Sequence, residues 1–362
     1  MVKVGIIANP ASGKDIRRLI AHGSVFDNQE KVSIVRRVIL GLEAAGVTNV
    51  IFMPDYFCIG EKAVSGIQTR LDISTLEMYI QASQEDSTLA ARLMREQGVG
   101  ALITLGGDGT NRVVAKESQD VPILPISTGT NNVFPLLVEG TIAGLAAGIV
   151  ASQRLPLEKT TTVQPRLEIY KDETLVDIAL VDVVVSIDTF IASRAIWDMS
   201  RVREIVLTRA SPSNIGLSSV GGELYCRQYN HRHGVYLSLN EDRGLVEVTA
   251  PIAPGLVQTL HVKEFQLLNF GDEVFVQHAP SILALDGERE VIVRAGEKIS
   301  VRLTGRGPRL IDLHRTMELA AQEGLMTKVD NYSPQLTPGT CLLHAVGLCL
   351  HPTDQCLEEL KR

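Results

Sequence analysis

The string Gly106-Gly107-Asp108-Gly109-Thr110-Asn111 sets three glycines around one carboxylate, directly after the apolar run Ala101-Leu102-Ile103-Thr104-Leu105. Glycines let the main chain take positive φ and come close to a ligand. A helix starting near Thr110 would present free N–H groups and a partial positive charge, which is a seat for phosphate. Asp108, pinned among the glycines, can take a proton from a hydroxyl or help hold a cation. The plainer reading is a tight strand–helix turn capped by Asp or Thr, but the five-residue string is more specific than a generic turn.

Two further loops carry similar chemistry. Ser127-Thr128-Gly129-Thr130-Asn131-Asn132 follows the apolar residues 123–126, and its hydroxyls and amides suit ribose or phosphate oxygens. Helix capping by Thr130 or Asn131 is the competing account. Asn9-Pro10-Ala11-Ser12-Gly13-Lys14 resembles a P-loop but fails its pattern, with Ala8 in place of the first glycine and Asp15 after Lys14. Ser12, Gly13 and Lys14 can still line a phosphate site, or the segment is a turn with a solvated lysine. Asp286-Gly287-Glu288 stands between two apolar runs, where Asp-Gly signals a hairpin. Asp182 interrupts an apolar stretch, as an interdomain polar anchor or an outward-facing residue, and residues 211–222 read as a flexible loop.

Strand-like and helix-like stretches alternate through residues 1–153. Apolar runs at 2–8, 50–53, 101–105 and 123–126 read as buried strands, and residues 34–42 and 84–97 carry helical spacing. This order predicts a mainly parallel sheet covered on both faces. Ligands bind beyond the carboxyl ends of such strands, which is where the three loops fall. Residues 154–306 change to closely spaced strands with Gly, Pro and Asp turns, an all-β pattern that begins with a hairpin of 166–170 and 175–187. After Pro308 helical spacing returns, and the segment 307–362 is expected to pack back on the first domain.

The bulk numbers bound the function. The chain has 362 residues, long enough for more than one core, with 45% apolar and 21% charged residues. Its net charge of −7 argues against nucleic acid as partner. No apolar run approaches a membrane span, stable membrane association is not expected, and the start reads as a first strand, so a cytoplasmic location is expected. A homo-oligomer is compatible with this composition. Cys58, Cys226, Cys341, Cys349 and Cys356 are too scattered for a disulfide framework, and the tail's Cys and His residues match no zinc spacing.

Taken as a series, the NPxSGK stretch, GGDGT, TGTNN and DGE resemble the NAD kinase and diacylglycerol/sphingosine kinase superfamily, most of all its ATP-NAD kinase-like acetoin catabolism protein X group. The resemblance implies a Rossmann-like N-terminal domain, a sandwich-like all-β second domain and a C-terminal segment returning to the first. It also implies ATP and Mg²⁺, a small-molecule nucleotide substrate, and a nucleotide site containing Asn9, Gly106 to Asn111 and Thr128 to Asn132. The Asn-Glu pair of NAD kinases has Val181-Asp182 at what look like the matching positions, whereas TGTNN and DGE look like the lipid-kinase side. There the DGE acids are tied to catalysis and metal, which raises Asp286 and Glu288 above a simple turn.

Three functions remain open from sequence. The first is an ATP-dependent kinase acting on a hydroxyl of NAD or a related nucleotide, with Asp108 as the catalytic base or hydroxyl-orienting group, Gly107, Gly109, Thr110 and Asn111 on phosphate, Asn131 and Asn132 on the sugar–phosphate, and Asp182, Asp286 and Glu288 on metal or acceptor. The second is a lipid or small-alcohol kinase. The third is a nucleotide-binding accessory protein without catalysis.

Overall fold

The computed structural model describes residues 1–13, 26–129, 132–187, 199–225, 233–240 and 243–327. Its first sheet is built from β1 (Lys3–Ala8), β2 (Asn49–Phe52), β3 (Asp72–Thr75), β4 (Ala101–Gly106) and β5 (Ile123–Ser127). These strands are parallel, in the order β3-β2-β1-β4-β5. Connecting helices are α1 (Asn28–Ala44), α2 (Ile59–Val64), α3 (Gln84–Glu96), α4 (Asp108–Ser118) and α5 (Gly140–Ala151).

Alternation along β1 sends its side chains to two cores. Val4, Ile6 and Ala8 join Val35, Val38, Leu42 and Ala146 on one face, while Ile7 joins Ala90, Met94 and Val114 on the other. Both faces are therefore covered, as the alternating sequence predicted. Helices α1 and α5 touch backbone to backbone: a Cβ on Gly144 would lie 2.2 Å from the Val38 carbonyl oxygen.

The short helix α6 (Leu157–Thr160) leads into the β-rich part, which contains two antiparallel sheets. The larger comprises β9 (Asp182–Ser186), β10 (Val202–Leu207), β11 (Gly234–Asn240), β12 (Val246–Ala253), β13 (Leu256–Leu268), β15 (Ser281–Leu285) and β16 (Glu288–Val293). The smaller comprises β7 (Arg166–Lys171), β8 (Thr174–Ala179), β14 (Glu273–Phe275) and β17 (Ile299–Thr304). Leu167, Ile169, Val183, Val185, Leu283 and Leu303 fill the space between them, a sandwich core.

Two expectations change. The run 175–187 is not one strand: β8 and β9 lie in different sheets, and the chain breaks at Leu180-Val181, whose N–H groups bond the Asp286 carboxylate instead of a neighbouring strand. Residues 211–222 are not simply a loop, because Leu217–Tyr225 forms helix α7 on the larger sheet. A Cβ on Gly221 would meet Leu207 at 2.6 Å, so small residues there serve close packing rather than flexibility.

The chain then returns. β18 (Arg309–Ile311) enters the first sheet beside β5 and pairs antiparallel with β6 (Thr161–Val163) on its other side. Helix α8 (Leu313–Gln322) places Leu319 and Ala320 against Ile149 of α5. Among the described residues no helix is long and apolar enough to cross a membrane. The tail cysteines and histidines lie outside the described residues.

Candidate functional site

All three loops meet at the carboxyl edge of the parallel sheet. Helix α4 begins at Asp108, two residues after β4 ends, and its cap Gly107 is extended (φ −101°, ψ −166°) with no side-chain cap bond. The first turn thus keeps its main-chain donors directed at the loop, the geometry that seats an anion. Gly106 is held to glycine by proximity, since a Cβ there would fall 2.4 Å from the Thr110 Cβ.

The polar side chains around this turn largely bind one another. Asn9 Nδ2 donates to Thr110 Oγ1 at 2.8 Å, while Asn111 accepts from Thr104 Oγ1 at 2.7 Å and donates to the Gly107 carbonyl at 2.9 Å. Ser12 Oγ lies 2.9 Å from Thr128 Oγ1, and the Thr128 N–H reaches the Gly106 carbonyl at 3.1 Å. Gly13, at φ +75°, has no room for a Cβ, which would be 2.7 Å from the Thr128 carbonyl oxygen. Asn132 Nδ2 donates to Ser127 Oγ at 2.7 Å, and its Oδ1 stands 2.6 Å from a Cβ built on Gly129. Lys14, Thr130 and Asn131 lie outside the described residues.

Lys31, which sequence reasoning passed over, secures the first loop. It is fully buried in α1 and donates to the carbonyls of Asn9 (2.9 Å) and Ser12 (2.8 Å). Hydrogen bonds from a charged donor contribute about 1.5–3 kcal/mol, against about 0.5–1.5 for neutral ones. A signal was available: Lys31 falls at helical spacing with Ile34, Val35 and Val38, a charge on the apolar stripe.

Two buried aspartates organise the other side of this turn. Asp108 accepts the N–H groups of Val133 (3.1 Å to each oxygen) and Phe134 (2.8 Å to Oδ1). Burial, followed by repulsion from Asp286, lifts its carboxyl to about 7, against the opposing pull of these amides and Arg209. Asp286 accepts the N–H groups of Leu180 (2.9 Å), Val181 (2.8 Å) and Asp182 (3.1 Å), and returns its own N–H to the Asp182 carbonyl at 3.0 Å. Burial raises its pKa too, opposed by Arg112 and the amides. The Phe134, Leu180 and Val181 side chains share one apolar cluster, so each aspartate grips one wall of the same contact between the two parts.

Asp286 and Gly287, at φ +51° and +82°, form the two-residue hairpin turn between β15 and β16. This turn brings Glu288 over α4: its Oε1 is 3.1 Å from a Cβ built on Gly109. Arg112, also missed from sequence, is 0% exposed and binds Asp177 (3.1 Å), Glu290 (3.0 Å) and Gln84 Oε1 (3.1 Å). Burial opposes its charge, but Asp177, Asp286, Glu290 and Glu288 outweigh this and raise its pKa above the ordinary value. Its acidic partners lie 65 and 178 residues away, so local spacing carries no trace of them.

No three acidic, His or Cys side chains among the described residues assemble a ready metal cage. Asp286 spends its oxygens on main-chain amides, whereas Glu288 faces the helix end. Such a donor set fits Mg²⁺ held by one carboxylate together with substrate phosphates, the usual manner for this ion.

Comparison with known proteins extends this picture. Residues 4–154 match the ATP-NAD kinase N-terminal domain, and residues 165–306 match the Acetoin catabolism protein X C-terminal domain. A protein of Cupriavidus necator, "Acetoin catabolism protein X", is 38% identical over 338 residues, covering 89% of this chain and 93% of its own length.

Proposed function

This chain belongs to the acetoin catabolism protein X family, and from that premise we propose that it is an ATP-dependent kinase phosphorylating a hydroxyl of NAD or a related small nucleotide. The observation that carries the reading is the N-terminus of α4, open at Gly107, with Asp108 inside it and Glu288 facing it from the other half of the molecule. The match of residues 4–154 to the ATP-NAD kinase N-terminal domain supports a nucleotide as substrate.

In this reading the α4 N–H groups and the Gly106 to Gly109 backbone receive the phosphates. The acceptor hydroxyl oxygen attacks the γ-phosphorus, forming a new P–O bond. The bond from that phosphorus to the β,γ-bridging oxygen breaks, and ADP leaves. The hydroxyl proton passes to Asp108 Oδ2, which among the described bonds accepts only the Val133 N–H and so keeps a lone pair. A carboxyl poised at about 7 suits that transfer near neutrality. Glu288 would hold Mg²⁺, which supplies charge neutralisation on the phosphates. Asn9, Ser12 and Thr128 keep the loops in register, and Asp182 joins the Asp286 anchor through its main chain. The relative's name sets that protein in acetoin catabolism, and the proposal carries this setting over.

The test is purified protein with ATP, Mg²⁺ and NAD, scored for NADP beside Asp108→Asn. Formation of NADP by the wild type and its loss in a folded variant are expected. Equal activity in the two removes Asp108 from the reaction, and turnover of diacylglycerol or a polyol in place of NAD replaces the acceptor.

A further inference from the structure

The hydrogen-bond chain that reaches Glu288 starts in a residue outside all three loops. Gln84 is the first residue of α3, and its backbone is fixed by the Ser83–Asp86 capping box. Arg112 can only donate, so the Gln84 atom 3.1 Å from Nη2 must be the amide oxygen. That orientation leaves one place for the amide nitrogen: it donates to Glu290 Oε1 at 3.0 Å and to Glu288 Oε2. Glu288 and Glu290 stand two apart on β16, whose register shifts between their partners, and both carboxylates reach this one nitrogen. A single neutral amide thus serves two carboxylates, while Arg112 neutralises Glu290 and fixes which end of the amide they meet.

We propose that Gln84 is a positioning residue of the phosphate site: locked by Arg112, it holds Glu288 over Gly109 and so sets the affinity for a nucleoside triphosphate bound with Mg²⁺. The proposal rests on reading the α4 N-terminus as that phosphate site. Without the Gln84 donor, Glu288 loses a hydrogen bond that directs its carboxylate, while Arg112 retains Asp177 and Glu290. The cost therefore falls on ligand affinity more than on folding.

The experiment measures ATP binding in the presence of Mg²⁺ by calorimetry on the full chain, with melting temperature and steady-state kinetics alongside. For Gln84→Ala, affinity is expected to fall roughly tenfold, the size of one lost hydrogen bond to a charged group. KM for ATP should rise more than kcat falls, and the melting temperature should change little. In a Glu288→Ala background the same substitution should add nothing, because the group it positions is gone. Gln84→Glu keeps the shape but sets a third carboxylate against Glu288 and Glu290, and should weaken binding at least as much. Unchanged affinity in either Gln84 variant, or an equal loss in the Glu288→Ala background, overturns the positioning role. A wild-type protein that fails to bind ATP with Mg²⁺ overturns the site reading first and this inference with it, which keeps the two failures distinct.

Discussion

Asp108 and Asp286 are the same residue used in two ways, one from each half of the molecule. Each is buried and each accepts main-chain N–H groups, two at Asp108 and three at Asp286. Asp108 stands in the first turn of a helix between glycines, so its surroundings are the main-chain donors of that turn. Asp286 stands in a hairpin turn and is enclosed by the chain it anchors, with Arg112 offsetting its charge. The difference teaches that a buried carboxylate accepting amides is not by itself a reactive one: what lies on its remaining side decides its work. Asp108 is the reaction's acid–base group in our reading, and Asp286 the clasp that shapes the facing wall.

The sharpest way to break this contrast is Asp108→Asn. NADP formation should fall by about 10²–10⁴-fold with folding retained. The wild-type rate should rise with pH through about 7, and the variant should lack that limb. The same shift has a stability consequence. The folded pKa of Asp108 is raised from 3.8 to about 7, so its contribution is full below the lower value and is lost as pH rises through the higher one. Urea unfolding across that window should show the decline in the wild type and a flatter profile in Asp108→Asn.

Arg112→Met tests what holds the halves together. Removing one partner of a buried ion pair costs about 3–5 kcal/mol, and here Asp177 and Glu290 would both lose their guanidinium. Chemical denaturation should show the loss whether or not ligand is present. Smaller, but more discriminating, is Asp286→Asn, which turns an N–H donor toward the Leu180 amide. A stability loss of about 1–3 kcal/mol is expected, with the pH limb of the rate preserved. A vanished limb would mean that the two aspartates titrate as one functional pair. The smallest change is Asn9→Ala, which removes the link to Thr110 and should cost about 1 kcal/mol while raising KM for ATP.

The parallel sheet was legible because its strands are short apolar runs ending at turns. Strand β3 was not, since Asp72, Ser74 and Thr75 lie exposed at the sheet's edge and carry no apolar pattern. Strands β6 and β18 escaped for another reason: they pair with each other across almost 150 residues, and nothing local marks either as part of the first sheet. Lys31 showed as a charge on an apolar stripe, a signal present but unread. Gln84 and Arg112 had none, because an amide or guanidinium on a helix looks the same whether solvated or bridging two domains.

By itself the sequence determined the layered α/β part, the change to β structure, and the glycine-rich turn that opens α4. These follow from periodicity and from backbone freedom, both properties of neighbouring residues. Tertiary structure alone decided that Asp286 faces inward to hold 180–182, that Glu288 comes over Gly109, and that Gln84 and Arg112 stand behind it. Those placements depend on how two separately patterned halves meet, and the energy of that contact belongs to pairs of residues that are neighbours only after folding.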